Sequence, residues 1–178
     1  MRSLALTFFF AVSARAFIPA GPQADVLLKH LPEARPFLSL MINETAKMDA
    51  EKQAASLVAK DFLMGTSNWE QSLAKMETAA PTTWAAMKPV YSLLKDKIEG
   101  LEEKEARTFV DEGLKRAKAT MADMFINGNG GAGQKALKDT LSAFKGLPEA
   151  AQSELKKAFA FFFDTIADYE IDFNKIQL

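Results

Sequence analysis

Apolar residues recur at steps of three and four along most of this chain, the repeat of a helix that buries one face. Phe37, Met41, Thr45, Met48, Ala55, Ala59 and Phe62 follow one such face. Trp84, Met87, Val90, Tyr91, Leu94 and Ile98 make a second stripe. The widest stripe is Ala106, Phe109, Val110, Gly113, Leu114, Ala117, Met121, Met124 and Phe125. Leu137, Leu141 and Phe144 carry a further one, and Leu155, Phe159, Phe162 and Ile166 the last.

Stop and start residues divide these stripes into helices. Pro19, Gly21 and Pro22 mark an extended lead, and a short helix is expected from about Gln23 to Leu31. Pro32 interrupts it. Pro36 fits the first turn of the next helix, where a missing N–H costs nothing. That helix runs from about Glu33 to Met64, with a polar stretch at Asp49–Lys52 where it can break, and Gly65 ends it. Ser67-Asn68-Trp69-Glu70 has the form of a capping box, with Ser67 as the cap, opening a helix to about Thr78. Pro81 opens the next, to Glu99, and Pro89 inside it predicts a kink or break. Gly100 is expected to supply a left-handed stop. Glu102–Asn127 follows, with Glu102, Glu103 and Glu105 in the first turn, where the helix dipole favours acids. Helices over Lys135–Lys145 and Pro148–Ala167, then a short helix or extended tail to Leu178, complete the chain.

Composition supports helix and argues against a sheet. There are 29 Ala, 19 Leu and 17 Lys against 5 Val and 7 Ile, and the β-branched residues are the ones that suit strands. The fold class expected is therefore all-α, a bundle of about seven or eight helices. Cysteine is absent, which excludes disulfides, thiolate nucleophiles and Cys-ligated zinc. His30 is the only histidine, so a Ser-His-Asp triad would have to use it. With 22 basic and 23 acidic residues, the chain is no nucleic-acid binder of the strongly basic kind. The basic residues alternate with acids at helical spacing, as on solvated faces.

The first residues read as an address. Arg2 precedes an apolar run from Leu4 to Val12, and Ala14-Arg15-Ala16 is an A-x-A site. We expect a secretory signal over 1–16, cleaved before Phe17, leaving one domain over 17–178. The apolar run is too short for a bilayer span, which needs about 20 residues. A secreted, extracellular product follows. Its charge is −3, because the leader removes Arg2 and Arg15. Asn43-Glu44-Thr45 is the only N-x-[ST] sequon, so Asn43 is a candidate for glycan.

Several motifs tempt and fail. Gly128-Asn129-Gly130-Gly131-Ala132-Gly133 fits G-x-G-x-x-G, but a dinucleotide site needs a strand before it, and a helix stands there instead. It reads as a flexible helix–helix loop. Asp168-Tyr169-Glu170-Ile171-Asp172 alternates acids but has Phe173 where a calcium loop needs Gly. His30 reads as a surface or capping residue. No metal site, cofactor or catalytic group is marked out. The feature with most content is Phe159, Phe161, Phe162 and Phe163 within one turn. On one helix they point nearly all round, as in a helix that faces a cavity, lipid or partner as well as a core. After the leader the chain keeps 11 Phe and 7 Met, and Met recurs at adaptable apolar surfaces.

From Tyr91 to Lys157 the sequence resembles the nematode fatty-acid- and retinol-binding protein family. The likeness lies in Leu94-Lys95-Asp96-Lys97-Ile98-Glu99-Gly100-Leu101, Glu105-Ala106-Arg107-Thr108-Phe109-Val110 and Lys115-Arg116-Ala117. It continues in the Gly128 loop, Phe144-Lys145-Gly146-Leu147-Pro148-Glu149-Ala150 and Ser153-Glu154-Leu155-Lys156-Lys157. From Asp25 to Met87 only the helix order is similar. Pro89, Trp84, the glycine loop and Phe161–Phe163 depart from the family's pattern. The resemblance implies a flattened helical bundle with an internal apolar cavity, carrying fatty acids and retinol without catalysis.

Stripe positions of four adjacent helices are then the candidates for the lining: Tyr91, Leu94, Ile98, Phe109, Leu114, Met121, Phe125, Leu141, Phe144, Phe159 and Phe162. Spacing alone does not separate lining from core. A carboxylate head is expected to meet a Lys or Arg near a helix end, and Gly128–Gly133 and Pro89 are candidate hinges. Partners are fatty acids and retinol, with transient membrane contact, and neither nucleic acid nor metal. The rival reading is a secreted helical protein acting through protein or membrane surfaces with no lipid cargo.

Overall fold

Nine α-helices and no strand make up the described residues, which are 22–42, 49–129 and 131–168 of this computed structural model. The expected leader, the Asn43 sequon and the tail after Asp168 lie outside them. The helices are α1 Pro22–His30, α2 Arg35–Ile42, α3 Asp49–Leu63, α4 Trp69–Ala79, α5 Pro81–Glu99, α6 Lys104–Phe125, α7 Ala132–Lys145, α8 Glu149–Ala158 and α9 Ala160–Asp168. A turn of 3-10 helix, Pro32–Ala34, joins α1 to α2. The fold is all-α, as the residue types require.

The helices exceed the expected number partly because the stripe through Phe159 belongs to two of them. α8 ends where Phe159 takes φ −113° and ψ 36°, and α9 starts at the next residue. That break resolves the crowding of phenylalanines. Phe159 is buried, Phe161 and Phe163 are half-buried against the core, and only Phe162 is exposed. The polar stretch Asp49–Lys52 is helical and belongs to α3.

Other boundaries shift for local reasons. α4 is capped by Asn68, not Ser67: the Asn68 side chain accepts from Gln71 N at 2.9 Å, and Gln71 Oε1 accepts from Asn68 N at 3.0 Å. This is the same reciprocal device one residue later. Ser67 is instead buried, its Oγ 2.7 Å from Ser72 Oγ. α5 runs through Pro89 without a break; Pro89 stands on the exposed side of the helix. Gly100 is not a left-handed stop, for its φ is −81°. Its need for glycine is steric, since a Cβ there would sit 3.2 Å from Asp96 O. Among the described glycines the left-handed ones are Gly65 and Gly128, at φ 76° and 72°.

α5 and α6 begin with no cap from their own first residues, and a glutamate from another helix serves each. Glu51 of α3 accepts from Thr82 N at 3.0 Å and Thr82 Oγ1 at 2.9 Å. Glu154 of α8 accepts from Glu102 N at 2.6 Å and Glu103 N at 3.0 Å. Glu102 and Glu103 precede α6, so of the three acids expected in its first turn only Glu105 stands there. Orphan amides at a helix start are the groups such carboxylates satisfy, and the positive end of the dipole adds to the attraction. These bonds fix α3 against α5 and α8 against α6.

One apolar core joins most of the helices. It takes Leu27 and Leu31 from the N-terminal segment, Phe37 and Leu38 from α2, and Phe62 and Trp69 from α3 and α4. It continues through Val90, Leu94 and Ile98 of α5, Val110, Leu114 and Met121 of α6, and Leu155 of α8. A fully buried leucine or phenylalanine contributes about 1.5–3 kcal/mol by leaving water. Val58, Met76 and Ala80 form a smaller cluster under α3 and α4. α6 packs on α7 and α8, α3 on α4, and α9 returns to pack on α1.

Candidate functional site

The face of α6 turned toward α7 carries an open groove. Lys104, Thr108, Glu112 and Arg116 recur every fourth residue, and Phe109 stands beside them, so they share one side of the helix. Together with Glu105, and with Ala143 and Leu147 across from them, they line an open groove of about 280 Å³. Its wall is mostly carbon. That volume falls just below the roughly 300–1,000 Å³ range of small-molecule sites.

Phenylalanines lead away from the groove. The Phe109 ring centre is 6.0 Å from that of Phe144, Phe144 is 5.3 Å from Phe163, and Phe163 is 5.5 Å from Phe162. Lys156 Nζ lies 5.9 Å over the Phe144 ring. Phe162 ends the series 42% exposed.

The groove's polar groups are unequal. Lys115 donates to Glu112 Oε1 at 2.8 Å. That hydrogen bond, then the Lys115 and Arg116 charges, hold the Glu112 carboxyl below its ordinary range. Arg116 is half-buried, and its Nε and Nη2 are both buried with no hydrogen-bond partner. Leaving such donors unpaired costs more for a charged group than for a neutral one.

The sequence candidates fall into distinct places. Phe109 lines the groove and Phe144 touches it ring to ring. Leu94, Ile98, Leu114, Met121 and Phe159 are buried in the main core, and Leu141 is buried on α7. Tyr91 is half-buried between Trp69 and Trp84, at ring distances of 5.7 and 5.6 Å. Phe162 is at the surface, and the Phe125 side chain lies outside the described residues. Of these candidates only Phe109 lines the groove, with Phe144 packed behind it. Arg116 escaped the sequence reading, which looked for a cation near a helix end. Its signal was its position two turns from Phe109 on one face. Glu112 four residues before it made it look like an ordinary surface pair.

The glycine loop and Asp168 do other work. Asp123 Oδ1 and Oδ2 accept from Asn127 Nδ2 at 3.1 Å and Asn129 Nδ2 at 2.7 Å. Asn129 Oδ1 accepts from Gly131 N at 3.2 Å. The loop is thus tied back to α6, and Gly133 lies within α7. His30, expected at the surface or as a cap, meets Asp168 Oδ2 at 2.7 Å in an exposed contact, and Lys29 Nζ meets the same oxygen at 2.6 Å. Among the described residues no cluster of His, Asp and Glu could hold a metal, and no helix is long and apolar enough to cross a membrane.

By its fold this is an all-α protein with an apolar groove along its longest helix. More particularly, the chain belongs to the nematode fatty acid retinoid binding protein family. The family model described as "Nematode fatty acid retinoid binding protein (Gp-FAR-1)" matches residues 42–176, most of the chain. No curated protein matches it, and no solved structure does.

Proposed function

We propose that this protein is a secreted, non-catalytic carrier of fatty acids and retinol, and that the α6–α7 groove is where cargo enters. Membership of a lipid-binding family over residues 42–176 carries the reading. The carbon-walled groove with Phe109, and the phenylalanines packed behind it, supply the chemistry. Burying a methylene contributes about 0.8 kcal/mol, so a long acyl chain offers on the order of 10 kcal/mol gross. Immobilising the ligand takes back several kcal/mol, which still leaves micromolar binding within reach.

The groove is small for such a chain, so binding in this reading widens it. Parting α6 from α7 would open a path inward, where Leu114, Met121 and Leu141 stand as candidate lining with Phe109 and Phe144. The leader over 1–16 is cleaved in the same reading, which gives the carrier its extracellular place.

Transient membrane contact has an observation of its own. Leu57 and Met64 of α3 and its end are 64% and 54% exposed, two turns apart on one side. They are two separate apolar side chains, with Lys60 and Asp61 on the turn between them, and in this reading they touch the lipid surface.

The test is displacement of a fluorescent fatty acid whose emission rises in apolar surroundings. A saturable blue-shifted signal, competed by oleate and by retinol, is expected. A folded, lipid-stripped protein that gives no signal would defeat the reading in favour of a protein acting through its surface.

A further inference from the structure

We infer that Arg116 is the head-group anchor of the groove, and that the protein therefore selects ligands ending in a carboxylate over ligands ending in a hydroxyl. The inference rests on the carrier reading and names the ligand chemistry of the same site. Nε and Nη2 of Arg116 are both buried and both without a partner, the one such pair on a single charged side chain among the described residues. They form one edge of the guanidinium, with parallel N–H bonds at the spacing of a carboxylate's two oxygens. What lacks a partner is thus a complete two-pronged donor site. Arginine cannot lose its proton to escape the cost of burial. A hydroxyl satisfies one prong and brings no charge, whereas a carboxylate satisfies both and neutralises the group.

The surroundings fit this assignment. The nearest carboxylate along the same face is Glu112, and it is engaged by Lys115 at 2.8 Å. Among the described residues no ion pair joins Glu112 to Arg116. From Lys104 to Arg116 the groove follows α6 for about 18 Å, at about 1.5 Å per residue. Phe109, Ala143 and Leu147 make its wall apolar, so there is length for a chain as well as a terminus for its head. The guanidinium edge is itself out of reach of bulk water. Its acceptor therefore arrives with a ligand that parts α6 from α7.

Oleate and oleyl alcohol share one chain and differ at the head, so they isolate the anchor. Protein produced from the full chain and stripped of lipid is titrated calorimetrically with each. Wild type should bind oleate about tenfold or more tightly than oleyl alcohol, the worth of a charged, paired contact. In Arg116→Gln that ratio should fall to within about twofold, and in Arg116→Lys partway, since lysine keeps the charge and loses the fork. A wild-type ratio near one, or an Arg116→Gln ratio equal to wild type, overturns the assignment. Should Arg116→Gln lose its helical circular dichroism, the wild-type and Arg116→Lys ratios decide. Wild type that binds neither ligand defeats the carrier reading itself. Wild type that binds both equally defeats only the anchor.

Discussion

Aromatic rings serve opposite ends in two regions of this molecule. Across α3–α5, Phe62, Trp69, Tyr91 and Trp84 touch in series, with ring centres 5.6 to 5.9 Å apart. Lys118 Nζ closes over Phe62 at 4.1 Å, and Trp69 is only 7% exposed. Across α6–α9, Phe109, Phe144, Phe163 and Phe162 also touch in series, but the series starts in an open groove and ends on an exposed ring. Ring contact is thus no sign of core by itself. Its meaning depends on what lies on the other side of the ring: protein in one region, an open groove and solvent in the other.

The comparison breaks most easily at its extremes. Phe37, 1% exposed, belongs to the same core as the packed rings. Phe37→Ala should cost about 3–5 kcal/mol in urea unfolding, through lost burial and the cavity left behind. Phe162→Ala should stay within about 0.5 kcal/mol, as expected of an exposed site. Equal costs would mean that Phe162 is covered in solution and that the two regions are alike.

Phe109 sharpens the contrast between stability and binding. It touches Phe144 on one side and the groove on the other. Phe109→Ala should weaken binding of a fluorescent fatty acid about tenfold, the equivalent of roughly 1.4 kcal/mol of lost apolar contact. Met87 is buried and does not line the groove; Met87→Ala should lower stability and leave affinity nearly unchanged. A variant pair that moves affinity and stability together would place cargo in the core instead.

Helix content and order were legible because period and breakers are local. Pro81, Gly65 and the stripe of α6 needed nothing from the rest of the chain. The break at Phe159 was not legible, since residues 148–167 carry no internal Gly or Pro. What divides them is where each phenylalanine finds cover, a tertiary matter. The cap register failed in a similar way: Ser67 and Asn68 both suit the role, and burial of Ser67 against Ser72 decides it. At the site, a stripe position looks the same whether it faces core or groove. Arg116 looks the same whether its donors meet water, Glu112 or nothing.

The cap makes a smaller prediction on the packed side. Asn68→Ala should cost about 1 kcal/mol, the usual worth of an N-cap side chain. Ser67→Ala should cost less, because Ser72 Oγ keeps its bond to Asn68 O at 2.8 Å. Urea midpoints of the two variants would settle the order, and the reverse order would return the cap to Ser67.

The smallest effect should be local and confined to the other side. α9 returns to α1 through Asp168, whose carboxylate takes hydrogen bonds from Lys29 and His30. Those bonds, Lys29's first, lower the Asp168 carboxyl from its ordinary value of 3.8. A carboxyl whose folded pKa is depressed stabilises the native state above its unfolded pKa, and that contribution fades as pH falls through the folded one. The clamp is therefore whole at neutral pH and loosens only in acid, below the ordinary aspartate range. Its side chains are partly open to water, 64% for Lys29 and 34% for Asp168, so salt weakens it as well. Asp168→Asn at neutral pH should reproduce the acid state: faster amide exchange over Leu27–His30, with the middle of α6 unchanged. Exchange that quickens along α6 too would show that the clamp braces the groove, and that the open region depends on it as strongly as the closed region depends on its rings.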